Sequence, residues 1–111
     1  MKIVDVKVDT FHYQAHTVRD SEGHGHPGPA HEALQTLLTI RTDDGVEGYC
    51  FAANKPVIEG MVKPLLVGQD PFYREKIWQM LKERQRLALD RLSDKVLSAV
   101  DCALWDLAGR A

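Results

Sequence analysis

The sequence predicts an α+β fold: a three-stranded antiparallel meander followed by a three-helix cluster. Three observations predict it. Apolar and polar residues alternate in three N-terminal segments, the period turns helical after Phe51, and Asp44-Gly45 stands between the second and third alternating runs. Residues 2–13 (KIVDVKVDTFHY) set Val4, Val6 and Val8 against Asp5, Lys7 and Asp9, the period-2 signature of a strand with one face on a core. The second run, about Ala33 to Thr42, places Leu34, Thr36, Leu38 and Ile40 on one face, and the third extends from Val46 to Phe51. Asp-Gly between two such runs marks a tight hairpin, because Gly accepts the positive φ of the turn. Strands two and three therefore pair antiparallel.

The first helix begins near Pro56, carries Ile58, Met61, Val62 and Leu65 at helical spacing, and meets a C-cap at Gly68, with Pro64 shortening or kinking it. Asp70-Pro71 opens the second helix, expected from Phe72 to about Leu89 with Tyr73, Ile77, Met80 and Leu81 on one side. Ser93 caps the third, which runs to Gly109-Arg110. Its core stripe is Val96, Val100, Ala103 and Leu107, flanked by Leu97, Leu104 and Ala99. On the helical wheel Trp105 falls about 180° from Val96, with Cys102 about 60° further round. A bulky indole thus points away from the core face. Either another part of the chain wraps it, or protein outside these residues does, or it is a lone exposed aromatic.

A chain of 111 residues is one domain's worth, with an expected radius of gyration of roughly 13 Å. Apolar residues at 44% and charged residues at 27% place it outside the disordered class. A formal charge of −2 without long runs of one sign gives no footprint for nucleic acid or an anionic membrane. No apolar stretch reaches the ~18 residues of a membrane span. The early charges of Met1-Lys2-Ile3-Val4-Asp5 do not suit a signal peptide, so a cytoplasmic location is expected. Cys50 and Cys102 lack the spacing of a zinc site and are expected to be reduced and partly buried.

Between the first two strands lie roughly nineteen residues, Gln14 to Glu32, holding four of the five histidines. Connections of that length without secondary structure are lids, binding loops or disordered segments. The readings are a ligand-facing lid, a solvated surface loop, or a metal site of His16, His24, His26 and His31, whose spacing matches no zinc pattern. Residues 51–55 (FAANK) either face the same cavity or simply connect strand to helix. Lys82 to Arg86 (KERQR) reads as a solvated helix face. Neither G-x-S-x-G, P-loop, G-x-G-x-x-G nor H-E-x-x-H occurs. Asp101 and Asp106, about 140° apart on their helix, cannot converge as a catalytic dyad.

Residues 98–111 (SAVDCALWDLAGRA), with Leu65 to Pro71 (LLVGQDP) and Thr42 to Gly48 (TDDGVEG), resemble the N-terminal capping domain of the enolase superfamily, mandelate racemase and muconate-lactonizing branch. The likeness covers the whole chain. It implies that residues 1–111 cap the mouth of a catalytic (β/α)-barrel expected to follow residue 111. It further implies that the segment Gln14 to Glu32 helps choose the substrate, a small-molecule carboxylate. Family members abstract the proton next to that carboxylate, hold the enediolate on Mg²⁺ and use Lys or His bases. The barrel would supply bases and Mg²⁺ ligands, so no catalytic or metal residue is assigned here. The substrate-facing candidates are His16, Arg19, His24 and His26. Their polarity suits a hydroxylated acid, which points to a sugar-acid dehydratase, with racemase, epimerase or cycloisomerase as alternatives. The complete enzyme is expected to be a homo-oligomer, and the segment alone inactive. The rival from another class is a free-standing α+β module that binds a ligand or a metal.

Overall fold

A computed structural model describes residues 1–51, 53–88 and 91–111. Three strands, β1 (Ile3–Arg19), β2 (Gly25–Thr42) and β3 (Glu47–Phe51), precede the helices α1 (Lys55–Val57), α2 (Lys63–Leu66), α3 (Arg74–Leu87) and α4 (Asp94–Arg110). A π-helical turn, Ile58–Val62, joins α1 to α2, so the three form the single kinked helix that the sequence predicts. The sheet order is β1-β2-β3 and both pairings are antiparallel. Gly45 turns β2 into β3 with φ 87°, as Asp44-Gly45 requires.

One face of the sheet packs on the helices. Val6 and Val8 stand opposite Ile40 and Leu38, and Leu38 and Ile40 stand opposite Cys50 and Gly48 of β3. Ile3, Val6, Val8, Leu38 and Ile40 are buried with Ile58, Val62, Leu66, Ile77, Leu81 and the predicted stripe of α4. Val4 departs from expectation. A register shift between Ile3 and Asp5 turns Ile3 inward and leaves Val4 exposed. Leu34 shares the face of Leu38 but sits at the base of the arm and is 60% exposed.

Gly48 sets how closely helix and sheet approach. A Cβ placed on it would lie 2.2 Å from the Ala103 carbonyl oxygen and 2.6 Å from Leu107 Cβ. Only a residue without a side chain allows α4 to lie against β3 there. The π turn has an equally local cause. Pro64 offers no N–H and its ring would crowd the carbonyl four residues back, and the wider turn, closed by the Lys63 N–H on the Ile58 carbonyl, relieves that clash.

The open edges of the sheet are covered by helix carboxylates and a loop. On β1, Glu59 Oε2 accepts the Val8 N–H at 3.2 Å, and Ile3 exchanges backbone hydrogen bonds with Gly68 and Gln69. On β3, Asp106 Oδ2 accepts the Tyr49 N–H at 2.9 Å and the Arg110 Nε–H at 3.0 Å. The Tyr49 amide, followed by Arg110, holds the Asp106 carboxyl below the usual carboxylate range. Because its folded pKa is depressed, its stabilising share is complete above about pH 4 and is lost as pH falls through the folded value. Asp106→Ala is therefore expected to lower stability by about 1 kcal/mol at neutral pH, with the difference from wild type vanishing in acid. Urea midpoints of both proteins across that range check this.

Several boundaries move. Asp70 and Pro71 form a turn before the second helix rather than its first residues. Asp70 Oδ1 accepts the Phe72 N–H, and α3 starts at Arg74. Tyr73, predicted on the core side, is exposed, while Ile77 and Leu81 are buried and Met80 half-buried. The end expected near Leu89 falls outside the described residues, as does Ala52 of the 51–55 connector. Ser93 caps α4 as predicted, its Oγ accepting the Val96 N–H at 3.4 Å. The charged residues Lys82, Glu83, Arg84 and Arg86 are solvated. Cys50 is half-buried, but Cys102, expected partly buried, is exposed.

The largest correction concerns Gln14 to Glu32. The expected irregular loop is instead the outer half of a long two-stranded arm, paired from Phe11↔Gln35 to Arg19↔Gly25. The ladder satisfies backbone groups that a solvated loop would leave to water. Pro27 and Pro29 fit because this half of β2 has no second neighbour and the ladder shifts register between Ala15 and Thr17. The arm stretches the molecule to 46 × 33 × 21 Å and a radius of gyration of 15.9 Å, above the roughly 13 Å of a compact chain. Among the described residues no helix is long and apolar enough to cross a membrane.

Candidate functional site

The arm has two polar regions, one along its length and one at its tip. Tyr13, His16, Thr17, Arg19 and His31 line an open concavity of about 850 Å³ together with the apolar Ala15, Val18, Pro29 and Ala33. Of the four candidates, His16 and Arg19 line this concavity, with the Arg19 guanidinium turned to the Gly23 carbonyl at the tip. His24 and His26 stand apart from it, on Asp20 at the tip. The structure thus divides the predicted group into pairs.

Asp20 organises the tip. Its Oδ1 accepts the backbone N–H groups of Glu22 and His24, both at 2.9 Å, and its Oδ2 accepts His26 Nε2–H at 2.8 Å. The Asp20 and His24 backbones bond to each other, and Arg19 Nη1 donates to the Gly23 carbonyl at 2.9 Å. His26, followed by the His24 amide, holds the Asp20 carboxyl below the ordinary range. Sequence reasoning missed this residue. The signal was an Asp two residues ahead of a turn amide, the Asx geometry in which a carboxylate replaces a backbone acceptor. Closer to the body, His12 Nδ1 donates to Glu32 Oε1 at 2.6 Å, and His31 Nδ1 to the Pro29 carbonyl at 3.3 Å.

A guanidinium, imidazoles and hydroxyls on one concave strip can donate to a carboxylate or to several hydroxyls at once. One wall is present; the other side is open. No three His, Cys, Asp or Glu side chains gather as a metal site among the described residues, so the arm histidines do not form the ligand group considered from the sequence. Nor, among the described residues, do carboxylates gather as magnesium ligands would.

The 51–55 connector lies elsewhere. Ala53 and Asn54 line a depression of about 410 Å³ at the base of the arm with Leu34, Gln35, Thr36, Ser93 and Lys95. Thr36 Oγ1 fastens the connector by donating to the Ala53 carbonyl at 2.8 Å. A third surface is the outer side of α4. Trp105 is 59% exposed there, as its wheel position predicts, and among the described residues no strand or loop encloses it. The Arg74 guanidinium lies 3.6 Å from the ring centroid, a cation–π contact that leaves the other face of the indole to solvent.

Comparison with known proteins adds to this geometry. Residues 26–111 match the family described as mandelate racemase / muconate lactonizing enzyme, N-terminal domain. D-galactarolactone cycloisomerase of Agrobacterium fabrum is 33% identical over 99% of the chain, and arabinonate dehydratase of Saccharolobus solfataricus is 34% identical over 75% of it. The crystal structure of D-glucarate dehydratase from Agrobacterium tumefaciens, complexed with magnesium, superposes over 99% of the chain with a TM-score of 0.88 and 49% identity. The chain spans 29%, 25% and 30% of these three proteins, respectively, well under half of each.

Proposed function

Because the chain belongs to the mandelate racemase / muconate lactonizing enzyme family, as its N-terminal domain, we propose that it is the substrate-selecting cap of a sugar-acid dehydratase. The observation that carries this reading is the polar arm, on which Arg19, His16, Tyr13 and His31 line one open concavity. An apolar acid brought against that strip would strip water from a guanidinium and two imidazoles without replacing their hydrogen bonds. A polyhydroxylated acid replaces them. Arg19 and His16 are assigned the substrate along the arm, and His24 and His26 the approach at its tip.

In this reading the catalytic barrel follows residue 111, closes the open side of the concavity and packs on the outer side of α4. Proton abstraction next to the substrate carboxylate, the bases and the magnesium all belong to parts beyond these residues, and the complete enzyme self-associates. The named relatives support the class, since they include arabinonate and galactonate dehydratases. A second reading, cycloisomerisation of a sugar-acid lactone, is favoured by the match to D-galactarolactone cycloisomerase along nearly the whole chain.

The test is a substrate survey of the complete enzyme, with aldonic and aldaric acids against hydrophobic 2-hydroxy acids. Turnover of sugar acids with loss of water and appearance of a ketone is expected. Arg19→Ala should raise KM for them about tenfold, the loss of one charge-assisted hydrogen-bond set, and His24→Ala with His26→Ala should raise KM or change the preferred acid. Turnover of hydrophobic acids alone overturns the dehydratase reading, and lactone isomerisation without water loss selects the second.

A further inference from the structure

The far side of α3 carries a groove that neither the arm nor the outer side of α4 uses. Leu65 of α2 with Met80 and Leu87 of α3 supply its apolar lining, Lys76, Gln79 and Glu83 line it beside them, and its volume is about 550 Å³. Leu87 is 64% exposed, and Phe72, in the turn before the helix, 47%. Left in water, these side chains forgo the transfer free energy that enclosure would return. At about 100° per residue, Lys76, Gln79, Met80, Glu83 and Leu87 fall within one arc of about 100°. The helix meets α4 on another side, through Arg74 on the Trp105 ring and Gln85 Nε2 donating to Asp94 Oδ1 at 2.8 Å. Met80 and Leu87 stand about 120–160° round the helix from those two residues. The groove is thus turned away from the surface assigned to the barrel.

We propose that this groove is the contact between two copies of the chain, with α3 antiparallel to the α3 of a second copy about a two-fold axis that passes between Gln79 and Met80. Charge selects this occupant. Lys76 and Glu83 lie equally far on either side of that point, about 5 Å along the helix in each direction. The rotation brings the Lys76 ammonium of each copy to the Glu83 carboxylate of the other, so one patch with two opposite charges is complementary to itself. Parallel helices would instead set like against like, which is costly. Among the described residues Lys76 has no ion-pair partner in its own chain, and Glu83 pairs with Arg86 of its own helix. Phe72 and Leu87 are also equally far from the axis, so the same rotation carries the exposed Leu87 of one copy toward the exposed Phe72 of the other. Met80 of both copies then occupies the centre, an apolar middle within a charged rim, as interfaces between proteins are built. The contact is independent of the reaction that the complete enzyme performs.

The test is sedimentation equilibrium of the 111-residue chain from about 1 μM to about 1 mM, at low and at high salt. Wild type is expected to pass from monomer to dimer over that range, and to associate less in high salt. Lys76→Glu and Glu83→Lys should each weaken the dimer about tenfold or more, because the two-fold doubles every like-charge contact. Their equimolar mixture should recover the dimer, since each chain then meets opposite charges at both ends of the helix. Leu87→Glu should weaken it about tenfold as well, by placing a charge against the apolar middle. All three side chains are exposed, so urea midpoints should stay with wild type and separate lost association from lost fold. A chain that remains monomeric throughout, a dimer that neither charge reversal weakens, or a mixture that fails to recover it overturns the proposal.

Discussion

Gly48→Ala is expected to destabilise the fold by about 3 kcal/mol, at the upper end of ordinary overpacking. The new methyl would meet the Ala103 carbonyl oxygen at 2.2 Å, Leu107 Cβ at 2.6 Å and the Leu107 amide nitrogen at 2.7 Å. Two of these atoms are helix backbone, so no rotamer change relieves the overlap and α4 must move off β3. That movement also stretches the Tyr49–Asp106 hydrogen bond and loosens Leu104 and Leu107 from the core. For a domain of this size the loss corresponds to roughly 15 °C in Tm. Gly60→Ala supplies the control. It lies in the π turn, a Cβ there meets nothing within 4 Å, and a helical Gly replaced by Ala is neutral or stabilising by up to about 1 kcal/mol. Urea unfolding of the two variants beside wild type checks both. A Gly48→Ala protein within about 0.5 kcal/mol of wild type would show that the helix–sheet spacing does not depend on that glycine.

What made the sheet and helices legible was local. The alternation around Val6, Val8, Leu38 and Ile40 and the 3.6-residue stripe of α4 each follow from one face being buried, and burial selects residue type at every step of the period. The same logic read Trp105 correctly, since a wheel position depends only on the helix being a helix. The arm failed that logic because neither of its faces is buried. Between Gln14 and Glu32 nothing selects for alternation, and Gly and Pro give the signals of a loop although most of the backbone on either side of the tip turn is paired. A ladder held by main-chain hydrogen bonds, and by one carboxylate at the tip, leaves little trace in side-chain hydropathy. Distance in sequence hid one further feature. The capping of Tyr49 by Asp106 requires knowing that α4 lies against β3. The candidates His16, Arg19, His24 and His26 were legible as polar arm residues. Their division between concavity and tip was not, because it depends on which of them Asp20 engages.

In the proposed cap reading, Trp105→Ala is expected to weaken docking of this chain onto the separately produced barrel about a hundredfold. That equals about 2.7 kcal/mol, within the range of an aromatic at the centre of an interface. The ring projects from the side of α4 opposite Val96 and Val100, is 59% exposed, and is touched on one face by Arg74. An indole buries on the order of 200 Å² when enclosed, so its present setting leaves a large transfer free energy unused. Arg74 serves as a flat cationic lid on one face and leaves the other for an incoming apolar surface. Fluorescence separates docking from simple loss of fold. In a Trp78→Phe background Trp105 alone emits; in the 111-residue chain its emission should be red-shifted and quenched by iodide, and in the complete enzyme blue-shifted and shielded. Arg74→Ala should leave the core intact yet reduce the affinity several-fold, since the stacked guanidinium fixes the ring before contact and lowers the entropy lost on docking. An indole equally open to iodide in both proteins would remove α4 from the proposed barrel interface. The arm would then have to hold the two domains alone, through side chains that are solvated and individually weak.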